Sequence, residues 1–549
     1  MGQVTDRLQC GRLMGLMGLM GLMGPMWLLS AALLVSTVAQ ALPSDFDSGF
    51  GDGGRVFKSL STDLGPDSVR AMVVQPDRRI IVVSDCQAVS VGNVDFCVMR
   101  LMPNGVADPD FGSNGQGLVV TGFQPGASDT PAAVAVQTDG RIVVAGSCDM
   151  GATTGIDFCL VRYLGNGTLD STFGSGGRVA TAIAEGARED RATSVVIDAQ
   201  GRIVVAGGCD MTATGVDFCL VRYLGSNGAL DTSFGNGGKV VTTIPATNTQ
   251  NQTINAMALQ VDGRIVVAGS CYIPGTAQDF CVARYLISGA LDDNFGNAGV
   301  VTTSFFSGTV PESAFALAMQ PDGKIVLAGG CSSGGLIYFC LARYTPAGEL
   351  DTSFDSAFAS SGKVTTLIGS ATASYISAMA LQGDGRIVVA GTCVDTVNSA
   401  DICVARYMPG GQLDVSFKST GWALIYPSPS IATASDQAYA LSLQADGRIL
   451  LAGRCANPLN IADGNSCVLR LQGGPHGYRK CSLDVDGDGI YRAEIDGLIY
   501  SRVMFGMNIE HAIAGISFPL SATRTVAVAI RDYLVNQCDM WRASRPLTP

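Results

Sequence analysis

The chain has only two histidines, His476 and His511, in 549 residues. Both lie beyond residue 471, where a repeated pattern ends, so no Ser-His-Asp chemistry can operate inside the repeats. Charged residues make up 15% of the chain and the balance is acidic, with a formal net charge of −12. Clustered lysine and arginine for phosphate contacts are therefore missing, which excludes a nucleic-acid binder. No Cys-x-x-Cys occurs, so neither a zinc ribbon nor a thioredoxin-type redox centre has support. What the chain has in quantity is glycine, 69 residues, and cysteine, 17 residues.

The cysteines reveal the organisation. A unit of about 62 residues recurs seven times, each copy with two cysteines in the same places. The second copy reads DGRIVVAGSC (Asp139 to Cys148), DFCLVRYL (Asp157 to Leu164) and LDSTFGSGGRVAT (Leu169 to Thr181). The pairs are Cys86 with Cys97, Cys148 with Cys159, Cys209 with Cys219, Cys271 with Cys281, Cys331 with Cys340, Cys393 with Cys403 and Cys455 with Cys467. Bridging each pair staples a hairpin, worth about 2.5 to 3 kcal/mol in the loop-entropy picture.

Each copy parses into four strands. The first is short and alternating (Ala256 to Gln260), and Asp262-Gly263 then predicts a tight type I′ turn. The second, Ile265 to Ala268, is a continuous apolar run of the kind buried on both faces. The third is the FCLVRY segment, and a glycine-rich LDxxFGxxG stretch leads into the fourth, as in Lys239 to Thr243. The fourth-strand motif opens at Asp47, Asp108, Asp170, Asp231, Asp292, Asp351 and Asp414, so one copy precedes the first set and none follows the last. An orphan strand at the start (Arg55 to Leu60) would complete the last set. This phasing predicts an all-β fold: a seven-bladed β-propeller of four-stranded blades over residues 42–471, closed by an N-terminal outer strand.

DGRIVVAG, FxLxRY and LDxxFGxxGxV in this order resemble the bacterial delta-60 repeat, a β-propeller repeat of exported and surface proteins. The resemblance covers about residues 43–471 and implies a propeller without a defined activity. The paired cysteines are a departure from it. An arginine in every third strand (Arg100, Arg162, Arg222, Arg284, Arg343, Arg406, Arg470) recurs with the motif aspartate and a phenylalanine three residues later. Sevenfold recurrence reads as a charge pair holding the turn and an aromatic wedge between blades. Two catalytic-looking strings fall inside the repeat: Gly49 to Gly54 matches GxGxxG without a following helix, and Gly330 to Gly334 matches GxSxG without a strand-to-helix elbow. Chemistry must lie in what differs between copies, and the connections from fourth to first strand differ most (Ile244 to Asn255, Phe305 to Ser313, Tyr426 to Gln437).

Residues 1–41 read as a signal peptide, with Arg7 and Arg12 ahead of an apolar stretch from Trp27 to Val38 and an Ala39-Gln40-Ala41 cleavage site. An uncleaved anchor is the competing reading. Cleavage removes Cys10 and leaves an even sixteen cysteines, as suits an oxidising compartment. The expected location is secreted, cell-surface or periplasmic.

After a linker (472–480), residues 481–549 form a second module, expected to be small and α-helical. Asp484, Asp486 and Asp488 with Gly489 follow the D-x-D-x-D-G pattern, in which alternate carboxylates converge on one hard cation. The segment resembles a dockerin-type or EF-hand half, with Ile490 as a further ligand position and a helix near Leu498 to Met504. The resemblance implies one calcium ion, but the twelfth loop position is Ile495, with Glu494 and Asp496 beside it to close the loop. A Cys481–Cys538 bridge would tie the module. The leading functional expectation is a monomeric, non-catalytic binding or adhesion protein for an extracellular protein or glycan, not an integral membrane protein once cleaved. The alternatives are a carbohydrate-active lyase or hydrolase using channel acids, and a structural surface or matrix component.

Overall fold

The computed structural model describes residues 44–473, apart from short stretches at 61–66, 88–92, 114, 213, 245–250, 274–276, 308–309, 355–360, 395–399, 428–434 and 458–459; beyond 473 it describes 498, 499, 513, 516 and 530. Residues 1–41, expected to be a signal peptide, the expected calcium-loop positions Asp484, Asp486, Asp488, Ile490, Glu494 and Asp496, and the expected Cys481–Cys538 pair lie outside the described residues.

The fold is all-β and propeller-like, built from repeated four-stranded antiparallel sheets. In the fourth set the strands are Thr253–Leu259, Ile265–Ile273, Ala277–Tyr285 and Val300–Thr303, paired in that order. The same pattern repeats in seven sets among the described residues. The last set takes its fourth strand from the start of the chain: Arg55–Lys58 pairs antiparallel with Asn460–Leu471, Phe57 opposite Cys467.

The second strands are apolar because both faces are covered. Ile142 through Ala145 and Cys148 have no exposed surface. Seven hydrophobic clusters each join two neighbouring sets, as when Phe218 and Phe234 of the third pack with Ile254 and Val267 of the fourth. The seventh cluster joins the ends of the chain, with Phe50, Val69 and Ile80 against Ala440, Leu450 and Val468. Each first strand lies against the first strands of the sets before and after it, and the last, Gln437–Leu443, lies against the first, Ser68–Val74.

Two expectations need correction. The Asp-Gly turn is not type I′, which needs positive φ at both central residues. Only Gly263 is positive (φ 83°), Gly263 N–H donates to Gln260 O, and Gln260 N–H donates to Arg264 O. That is a type I turn followed by a left-handed glycine, a three-residue loop. The first strand also starts earlier than its alternation indicated, at Thr253 rather than Ala256. A β-bulge at Asn255 breaks the two-residue period there.

That bulge occurs in every set, at Arg70, Ala132, Thr193, Asn255, Phe315, Ser377 and Tyr439. It brings the first-strand carbonyl close to the second strand, where six of seven copies have glycine. A Cβ on Gly269 would run into Thr253 O, and one on Gly391 into Tyr375 O. In the first set Ser84 stands there instead, and its hydroxyl donates to Ser68 O at 2.8 Å.

Candidate ligand-binding face

The recurrent polar residues are consumed by the scaffold. Arg222 Nε donates to Asp231 Oδ2 at 2.8 Å, its guanidinium lies 4.4 Å over the Phe234 ring, and Nη1 reaches Ile287 O of the following set. The expected charge pair and aromatic wedge are thus one assembly that also ties neighbouring sets. Its last copy joins the chain ends: Arg470 Nε meets Asp47 Oδ2 at 2.7 Å and sits over Phe50. A second basic residue, from the turn between first and second strands, shares each motif aspartate, as Arg264 does with Asp292 at 3.0 Å. Every one of these groups lies at the end of the molecule occupied by those turns. That end is therefore nearly identical from copy to copy.

The seven cysteine pairs are disulfides, with Cα separations between 5.4 and 5.9 Å, inside the ordinary range. They do not sit at the hairpin mouth. Cys148 is opposite Asp157 and Cys159 is opposite Gly146, so the bridge is a diagonal within the ladder, and in this set the pairing continues past it to Asp149 opposite Ile156. Seven disulfides suit an oxidising, non-cytoplasmic compartment.

At the opposite end, the loops between second and third strands meet the connections from fourth to first strand. Asp129 N–H donates to Val94 O, Gln252 N–H to Val216 O, and Glu312 N–H to Gln278 O, each linking one set to the next. The first strands open here on a residue that sequence reasoning missed: Asp67, Asp129, Asp190, Gln252, Glu312 and Asp436, all buried. Most hold their own incoming connection through its backbone. Asp129 accepts from Phe123 N–H at 2.6 Å, Asp190 from Ile183 N–H at 2.6 Å, and Glu312 from Phe305 N–H at 2.7 Å. Burial pushes Asp129 up to about 6, with the Asp95 charge adding to it despite the Phe123 N–H. Burial likewise raises Asp436 to about 6, and raises Asp157, Asp190 and Glu312. An acid at the opening of five of the seven first strands was the available signal, hidden by connections of unequal length.

Beyond these acids the face is irregular. The bulge residues are an arginine, an alanine, a threonine, an asparagine, a phenylalanine, a serine and a tyrosine. Two of them also reach across to the next set: Thr193 Oγ1 donates to Ile254 O at 2.7 Å, and Asn255 Nδ2 to Ala314 O at 2.8 Å. Among the described residues, no group of three or more His, Cys, Asp or Glu is placed to hold a metal ion. Also among them, no helix is long and apolar enough to cross a membrane.

A family model bears on the class. Six segments, 75–111, 137–173, 200–234, 260–295, 320–354 and 382–417, match the family described as "Domain of unknown function (DUF5122) beta-propeller". The chain is thus a β-propeller repeat protein. Each matched segment ends on a motif phenylalanine, from Phe111 to Phe417. The seventh copy is split between the two ends of the chain, since its phenylalanine is Phe50. The polysaccharide lyase Uly1 aligns at 13% identity over 73% of this chain and 89% of its own, TM-score 0.43. Sqt1 from Chaetomium thermophilum aligns at 13% identity over 77% and 88%, TM-score 0.37. A protein of unknown function from Dyadobacter fermentans DSM 18053 aligns at 12% identity over 64% and 97%, TM-score 0.38. No curated protein matches.

Proposed function

We propose that the chain is an exported, non-catalytic binding protein of the delta-60 type. Its seven four-stranded sheets form a closed seven-bladed ring, and ligand is held on the face made by the second-to-third and fourth-to-first connections. One observation carries this reading. All seven first strands share the same backbone bulge, yet its side chains differ in every copy, whereas the opposite end repeats one Arg-Asp-Phe assembly. A backbone device kept constant while its side chain varies is how a rigid scaffold presents a binding surface. In the same reading residues 1–41 are removed on export, residues 481–549 bind one calcium ion through Asp484, Asp486 and Asp488, and the mature protein is a monomer.

The test is a screen of the mature chain against immobilised glycans, peptides and cell-surface extracts, with and without calcium. Any ligand found should lose affinity when Arg70, Phe315 and Tyr439 are changed to alanine, and keep it when the exposed turn residue Val261 is changed to serine. The reverse outcome would overturn the face assignment.

A second reading, a carbohydrate-active lyase or hydrolase, draws on Asp129 and Asp436, whose carboxyls at about 6 suit a general acid. Both are buried and engaged by backbone N–H groups, Asp436 with that of Ala456 at 2.8 Å. Depolymerisation of a polysaccharide, abolished in Asp129→Asn or Asp436→Asn, would favour it.

A further inference from the structure

The repeat supplies its own control, since a residue that departs from the sevenfold pattern is not required by the scaffold. Nearly all large aromatics of the described residues are covered, and the exposed ones are Phe315, Tyr375 and Tyr426. Phe315 and Tyr375, each 40% exposed, line one cleft on the variable face, about 530 Å³ in volume. It is formed by the fourth, fifth and sixth sets. At the positions equivalent to Phe315 and Tyr375, the fourth set has Asn255 and Thr253 and the seventh has Tyr439 and Gln437, so the pair of aromatics is not required by the fold.

The described lining of the cleft is aromatic and polar without charge. The Tyr375 ring lies beside Gly330, where a Cβ would stand 3.4 Å from Tyr375 Cδ1, so glycine keeps that wall flat. Asn255 has its amide N–H groups committed to Ser313 Oγ at 3.2 Å and Ala314 O at 2.8 Å, which fixes the carboxamide and leaves its oxygen as an acceptor. The half-buried Gln278 adds a second amide, and Ser332 a hydroxyl. Among the described residues, no lysine, arginine, aspartate or glutamate lines the cleft, although the chain carries a net charge of −12. An anionic ligand would find no counter-charge there, and a purely apolar one would leave the amides unpaired.

Resting on the proposed binding face, we propose that this cleft holds a short neutral oligosaccharide. The C–H faces of its rings stack on Phe315 and Tyr375, and its hydroxyls pair with Asn255, Gln278 and Ser332.

The experiment is calorimetric titration of the mature chain with cello-, xylo-, manno- and laminari-hexaose, and with oligogalacturonate as the anionic probe. One neutral series should bind with one-to-one stoichiometry and an affinity insensitive to salt. Phe315→Ala and Tyr375→Ala should each weaken it at least tenfold, Gly330→Val should do the same by displacing the tyrosine, and Arg191→Ala should leave it unchanged. Unfolding temperatures of all four variants separate lost binding from lost fold. Binding of oligogalacturonate alone, no binding of any neutral series, or neutral binding indifferent to Phe315 and Tyr375 would each overturn the cleft assignment. If in the last case affinity fell in Arg70→Ala or Tyr439→Ala, the face would stand and only the cleft would fall. If it answered to Val261 changes alone, both would fall.

Discussion

Arg406 has no exposed side-chain surface, yet all three of its nitrogens are used: Nε on Asp414 at 2.7 Å, Nη1 on Gly473 O, and Nη2 on Ser416 Oγ at 3.1 Å. Replacing it by methionine keeps the volume but strands a buried carboxylate, and removing one partner of a buried pair costs about 3–5 kcal/mol. Arg386 still reaches Asp414 at 2.8 Å, so the lower end of that range is expected for Arg406→Met in urea denaturation. The acids divide into two populations with opposite pH behaviour. Burial works to raise Asp351, but Ser353 and Arg343 outweigh it and hold it at about 2. Its contribution is present above the ordinary carboxylate pKa and lost as pH falls toward 2. Asp129 and Asp436, raised to about 6, contribute stability below the ordinary carboxylate pKa that is lost as pH rises through about 6. Thermal unfolding should therefore peak near pH 4 to 5, on the acid side of the usual optimum. An Asp129→Asn/Asp436→Asn double variant should flatten the decline between pH 4 and 7, and an unchanged profile would show that these groups do not set it.

At the scale of the strand, the informative feature is one extra residue. The bulge at Asn255 and glycine at Gly269 form a matched pair, because the carbonyl of Thr253 occupies the place of a Cβ. Gly269→Ala must displace backbone and should cost more than the roughly 1 kcal/mol of ordinary propensity changes. The same change at Gly140, with nothing within 4 Å but φ of 85°, tests conformational strain alone. This pair also explains what the sequence disclosed. The second strands, the arginines and the cysteines recur in register and were legible directly. The residues of each first strand up to its bulge were not, because the bulge resets the alternation. With them went the buried acids and the varied ring of side chains that define the candidate face. The aromatic cleft was invisible for a related reason, since Phe315 and Tyr375 come from different copies and meet only in the folded chain. The disulfides were legible as pairs but not as diagonals. Removing one, as Cys271→Ala/Cys281→Ala, should cost at most about 2.5 to 3 kcal/mol, because the flanking ladder holds the hairpin on both sides.

For the molecule as a whole, the seam between residues 44–60 and 437–473 has the same contents as every other junction: a strand ladder, an Arg-Asp pair, a buried phenylalanine and an apolar cluster. Deleting residues 42–62 removes all four at once. It leaves the third strand of the last set, around Val468, as an open edge beside an exposed apolar surface, so the truncated protein should aggregate or unfold well below the full chain. Light scattering with a thermal scan decides it, and a monomer melting at the full-length temperature would contradict closure.

That seam sets a clock on assembly. Arg55–Lys58 is made about 400 residues before Asn460–Leu471, its strand partner, and at roughly 5 to 20 residues per second it waits on the order of 20 to 80 s. Until then the sheets made in between can close their hairpins while the first-made strand waits unpaired, so the most non-local contact is expected to be the slowest. A circular permutant that places residues 44–60 directly after 473 should reach the same native stability. It should refold faster and aggregate less on the way, because its seven repeats would each be contiguous.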